Sequence, residues 1–191
     1  MSEQILLIGG GGHCRSVIDV IEQMNEYKII GIVDIKENIG KKVLDYEIIG
    51  SDDDLSDIFK TCKNAIITIG QIKTNKPRVD LFGKTRQIGF DLPTIVSPLA
   101  YVSRHALIGT GSIIMHGAMV NAGAKVGNNC IINTKALIEH DAVVEDHCHI
   151  STGAIINGGT LVKENSFVGS NSVSKEYVTI NGFIKAGGLA K

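Results

Sequence analysis

The sequence predicts an α/β domain over residues 1–90 followed by a parallel β-helix over residues 91–191, and three observations predict it. The stretch ILLIGGGGH, residues 5–13, reads as a buried strand entering a glycine turn, with helical spacing after it. From Val96 to Val168 every sixth residue is aliphatic, thirteen in succession. Four positions after each of these comes a small residue, from Ala100 to Ser172.

In the first half, Val17, Ile18, Val20, Ile21 and Met24 give the span from Ser16 to Met24 one apolar face, as a helix packed on a sheet requires. KIIGIVD is a second strand ending at Asp34, and NAIITIG a third ending at Gly70. Pro77 suits the first turn of another helix through RVDLFGKTRQIG. Strand, helix, strand with short links is a parallel α/β unit.

In the second half, a period of six with an inward aliphatic and an inward small residue is the pattern of a β-helix. The small residue and the next aliphatic one are two apart, so both face inward and the residue between them faces out. Three such sides close a triangular coil of eighteen residues, and thirteen repeats amount to about four coils at roughly 4.8 Å each, a prism about 20 Å tall. Cys130 and Cys148 are eighteen apart, at the small inward position with Ser112 and Ser166, and read as core thiols.

Composition narrows the function. Nineteen basic against twenty acidic residues leave a net charge of -1 with no basic stripe, which argues against nucleic acid. The start, MSEQILLIGGGG, has a short apolar run and no basic leader, so neither a signal peptide nor a membrane span is expected and the chain is placed in the cytoplasm. Four cysteines without C-x-x-C spacing suggest neither a disulfide framework nor a metal site.

IEHDAVVEDHCHIS, Ile138 to Ser151, holds three of the six histidines. In the eighteen-residue frame His140 occupies a corner with Gly158 one coil above, and Asp141 follows it. His149 is the outward residue of a strand, and Asn133, Ser151 and Ser170 fall on its side of the coil. The two sets lie on different sides of one prism, so they cooperate only if His140 of one subunit faces His149 of another, as in a ring of three.

The hexad array containing NTKALIEHDAVVEDHCHISTGA, preceded by LIGGGGH, closely resembles the bacterial sialic acid O-acetyltransferase and UDP-4-amino-sugar N-acetyltransferase family over nearly the whole chain. The resemblance implies a left-handed β-helix, a homotrimer, acetyl-CoA as co-substrate without a metal, and a nucleotide sugar held by the N-terminal domain. It implies His140 as general base with Asp141 supporting it. It implies acetyl-CoA contacts at Asn133, His149, Gly158 and Ser170, with the Gly158 backbone facing the acetyl carbonyl. Gly11, Gly12, His13, Asp34 and Gly70 match nucleotide-sugar contacts, although Ile35 replaces the usual second acidic residue.

A histidine, ordinarily titrating near pH 6.5, suits removal of a proton from an attacking amine or hydroxyl at neutral pH. The glycine turn does not fit G-x-G-x-x-G, because Cys14 stands at the last glycine; a tight turn alone also accounts for such a run. The last residues, IKAGGLAK, carry Gly188 and Leu189 where relatives have a proline. The main expectation is N-acetylation of a UDP-linked 4-amino-deoxy sugar in glycan biosynthesis. O-acetylation of a sialic acid, a zinc lyase using His147 and His149, and a non-enzymatic scaffold are the alternatives.

Overall fold

The computed structural model describes residues 2–71 and 74–191. The chain divides into two compact units at Pro93 and Thr94.

In the first unit β1 (Glu3–Ile8), α1 (Gly12–Met24), β2 (Tyr27–Val33), β3 (Lys42–Val43), β4 (Tyr46–Gly50), α2 (Leu55–Ile58), β5 (Asn64–Ile67) and α3 (Lys76–Ile88) follow in order. The sheet order is β3-β4-β2-β1-β5, parallel except for β3 against β4. α1 begins within the glycine turn, earlier than the apolar spacing alone indicates, and buries Cys14, Val17, Ile18, Val20 and Ile21. α3 has Pro77 in its first turn and stops at Gly89, whose φ of 107° lets its N–H turn back to the carbonyls of Thr85 and Arg86. Leu6, Ile8, Val33, Ala65, Ile67 and Phe82 share one core.

This topology positions a crevice. From β1 the chain steps outward to β2 and β4, then returns to the other edge of β1 as β5. The strand order therefore reverses between β1 and β5, and ligands of open α/β sheets bind outside the carboxyl ends of the strands at such a point. Gly9 to Gly12 follow β1 there, and Gly70 and Gln71 follow β5.

In the second unit seventeen two-residue strands, from β6 (Ile95–Val96) to β22 (Leu189–Ala190), form three parallel sheets of six, five and six. Pairing holds the eighteen-residue register: Met119 lies against Leu137, Lys125 against Val143, and Ile131 against His149. From Ile114 to Val168 the inward aliphatic and alanine or cysteine positions are buried.

The prism is taller than the four coils that hexad counting gives. Ser174 and Ile180 continue the six-residue step, and a final coil adds β21 (Phe183–Ile184) and β22. That coil is two residues shorter, with Phe167 against Phe183 and Val173 against Leu189. The slip hides it from a strict period of six.

One inward column is polar for a reason the pattern does not show. Thr94, Ser112, Cys130 and Cys148 each donate to the carbonyl fifteen residues ahead, of Gly109, Gly127, Glu145 and Lys163, at 3.0, 2.7, 3.1 and 3.0 Å. The cysteines are free thiols in the position of a serine. Cys148→Ser therefore keeps the donor and should cost less than about 1 kcal/mol. Ile138→Ala, which empties part of the same prism, should cost about 2–5 kcal/mol; urea unfolding of the two variants checks the contrast.

Candidate active site

After β13 (Leu137–Ile138) the chain turns the corner through Glu139, His140 and Asp141. Asp141 takes φ of 59°, a left-handed conformation that aspartate tolerates better than most residues. This brings its carboxylate beside the preceding ring, with His140 Nδ1 3.0 Å from Asp141 Oδ2. Nδ1–H donating to the carboxylate leaves Nε2 with the lone pair, the tautomer a base requires. The His140 side chain is 58 % and Asp141 73 % exposed, so the corner is open.

The hydrogen bond to Asp141, then the negative charges of Asp141 and Glu139, raise the His140 pKa above 6.5. Glu139 also fixes the corner. One of its oxygens accepts the His140 N–H at 3.2 Å and the Asn121 amide, one coil below, at 3.0 Å.

Gly158 stacks one coil above His140. A Cβ there would lie 2.8 Å from both His140 Cε1 and Nε2, so any side chain would push the ring aside. The flanking N–H groups of Asn157, Gly159 and Thr160 donate to Ser174 Oγ, the His140 carbonyl and the Asn157 carbonyl. The Gly158 N–H has no hydrogen bond among the described residues, and remains available to an incoming carbonyl.

The second set also assembles. Asn133 Nδ2 lies 3.2 Å from His149 Nε2, and Ser151 Oγ 3.0 Å from Ser170 Oγ. His149 is not open to solvent, as an outward strand residue would be, but only 6 % exposed. Phe167, one coil above, meets its ring edge-on at 5.1 Å and is itself stacked on Phe183, and these rings cover the His149 side chain. His147 bonds to Asn129 at 2.9 Å, and His116 to Ser97 at 2.6 Å.

In the first unit, the glycine turn separates into two pairs. Gly9 needs its φ of 109°, and a Cβ on Gly10 would lie 2.5 Å from Asp34 Oδ2 and 3.3 Å from Ile48 Cδ1. At Gly11 and Gly12 an added Cβ would meet nothing within 4 Å, and neither has a left-handed φ. Nothing inside the described chain demands glycine at these two positions; open space at the start of α1 suits close approach of a ligand backbone or phosphate.

Asp34 is tied into the turn: its two oxygens accept the N–H groups of Gly10 and Ile35, both at 2.6 Å. It lines a cleft of about 250 Å³ with Ile35, Lys36, Ser51 and Asp52, and Ile35 is 61 % exposed at the rim.

His13 Nε2 is buried without a hydrogen-bond partner among the described residues. Burial, then the charge of Arg78, lower its pKa to about 4, so it is neutral at pH 7. Gly70 lies against His13, where a Cβ would touch the His13 Cβ at 3.4 Å. Arg78, with 1 % exposure, bonds Gln71 at 3.2 Å. Arg78 reads in the sequence as one more surface charge on a helix, whereas Asn121 is marked by its place eighteen residues before Glu139.

Several solved structures share this architecture. PerB from Caulobacter crescentus, in complex with CoA and GDP-perosamine, is 31% identical with a TM-score of 0.91, over 98% of this chain and 88% of that one. The chain belongs to the hexapeptide-repeat sugar acetyltransferases. The acetyltransferase domain of PglB from Neisseria gonorrhoeae is 28% identical with a TM-score of 0.91, over 100% of this chain and 92% of that one. A PglB structure carries acetyl coenzyme A. WeeI from Acinetobacter baumannii shares the fold at 16% identity with a TM-score of 0.76. The PglD N-terminal domain family matches residues 4–82. No curated protein sequence matches the chain.

The second unit of this sugar acetyltransferase is accordingly a left-handed parallel β-helix. The carboxylate at Asp141 should be visible in its pH profile. A base at His140 would work unprotonated, so on that assignment activity is lost as pH falls through the His140 pKa and the wild-type acid limb should lie above 6.5. Asp141→Asn removes the largest raising influence, so its limb should move to lower pH with a smaller plateau; log kcat/KM against pH measures both.

Proposed function

We propose that the chain transfers the acetyl group of acetyl-CoA to the amino group of a UDP-linked 4-amino-deoxy sugar, with His140 as general base. Membership of the family makes it an acetyl-CoA-dependent sugar N-acetyltransferase. The observation that carries the site assignment is the stacking of Gly158 over the His140 ring, which leaves no room for a side chain there and puts beside the ring an N–H without a hydrogen bond among the described residues.

Acetyl-CoA supplies an activated thioester carbonyl. His140 Nε2 takes the proton of the attacking amine, and Asp141 holds the ring in the required tautomer and stabilises the imidazolium that forms. The Gly158 N–H faces the developing oxyanion, and collapse of the tetrahedral adduct breaks the C–S bond, the coenzyme A thiolate leaving with the proton that His140 took up. Asn133, His149 and Ser170 are assigned to the coenzyme A arm, and Gly11, Gly12, His13, Asp34 and Gly70 to the nucleotide. The uridine assignment follows the family resemblance; the relative that binds GDP-perosamine makes guanosine the alternative base.

The reading includes a trimer in which His140 of one subunit faces His149 of the next. Its support is one sheet of the prism, where every outward residue is apolar: Tyr101, Met119, Leu137, Ile155, Val173 and Leu189. Tyr101, Met119 and Leu189 are exposed, which is unusual for a face left in water. Ile155→Lys in the middle of this row should lower the mass found by light scattering from three subunits toward one, and activity with it.

The decisive assay incubates acetyl-CoA with UDP- and GDP-linked 4-amino sugars and with free sialic acid, following thiol release and product mass. A UDP-amino sugar should gain one acetyl group, and His140→Ala should lose about 10²- to 10⁴-fold in rate while remaining folded. Acetylation of sialic acid alone would replace the acceptor, and full activity in His140→Ala would remove the base.

A further inference from the structure

Tyr177 stands where the fold least favours it. The corner position it occupies takes a left-handed φ in coil after coil, filled by Gly123, Asp141 and Gly159 in its own column and elsewhere mostly by glycine and asparagine, with Lys135 and His147 as the other larger side chains. Tyr177 has φ of 55° there, a conformation bulky side chains adopt rarely. The side chain is not repaid by burial, being 79 % exposed.

The Cδ1–Cε1 edge of its ring lies against Gly159, beside the proposed corner. A Cβ built on Gly159 would overlap ring carbons Cδ1 and Cε1 of Tyr177, and the Tyr177 N–H donates to the Gly158 carbonyl at 3.0 Å. The three corners stacked at eighteen-residue intervals thus carry His140 and Asp141, then Gly158 and Gly159, then Glu176 and Tyr177. A carbonyl seated on the Gly158 N–H finds the coil below filled by the His140 ring, which occupies the space a Gly158 side chain would need. The remainder of a thioester donor must leave along the corner toward the next coil, where the Tyr177 ring stands.

We propose that Tyr177 is a positioning residue for acyl transfer, whose ring forms the wall against which the thioethylamine end of the coenzyme A arm packs. This rests on the assignment of acetyl-CoA to the His140 and Gly158 corner. An amphipathic ring suits that segment, whose methylenes alternate with an amide. The strained backbone is retained because an asparagine, easier to fold here, would leave that wall open.

Calorimetric titration of the full-length protein with coenzyme A tests the proposal without knowledge of the acceptor. Tyr177→Asn, which accepts the left-handed corner, should keep or raise the melting temperature yet bind coenzyme A about ten-fold more weakly. Tyr177→Phe should restore affinity to within about two-fold, since the ring acts and not the hydroxyl. Wild-type affinity in Tyr177→Asn overturns the proposal and leaves the acetyl-transfer reading intact. No binding of coenzyme A by the wild-type protein overturns both.

Discussion

The eighteen-residue register of stacked coils is the constraint on which the rest depends. Each two-residue strand is too short to be stable alone, and gains its hydrogen bonds only by lying on the strand eighteen residues away. The inward aliphatic and small residues lock that register, because a slip of one would turn every inward side chain outward. A corner is therefore repeated in space with little error. His140 meets Gly158, and Asn121 meets Glu139, with no loop to order and no long-range turn to close.

The polar chemistry is confined to places the register leaves free. Corners do not enter the core, so a histidine, an aspartate in a left-handed turn and a bare glycine can be placed there at little cost to packing. The α/β unit follows the same division differently. Its core consists of continuous apolar strands, and its unoccupied space lies at Gly11 and Gly12, beside a histidine kept neutral by burial and by Arg78. Both places offer backbone N–H groups, the donors best suited to phosphate or carbonyl oxygens.

Much of this was legible in the sequence because a strict period converts directly into spatial neighbours. Thirteen hexads place His140 under Gly158 and Asn133 beside His149 by arithmetic alone. The arithmetic fails where the period changes, and so it missed the last coil, whose residues step by sixteen. It also treats an outward residue as exposed, and cannot see that Phe167 covers His149 from the next coil. In the α/β unit the glycine run was visible but ambiguous; only the space around each glycine separates Gly9 and Gly10, which the backbone needs, from Gly11 and Gly12, which it does not. Arg78 was invisible because its burial depends on how α3 packs on the sheet, which helix periodicity does not specify. The short antiparallel pair of β3 and β4 left no alternation long enough to read.

A crystal structure of the protein with coenzyme A bound tests the corner most directly. The thiol sulfur should lie at this corner, next to the space between His140 Nε2 and the Gly158 N–H that a thioester carbonyl would occupy. A sulfur found away from this corner, with His140 still bonded to Asp141, would contradict the assignment of the reaction to it.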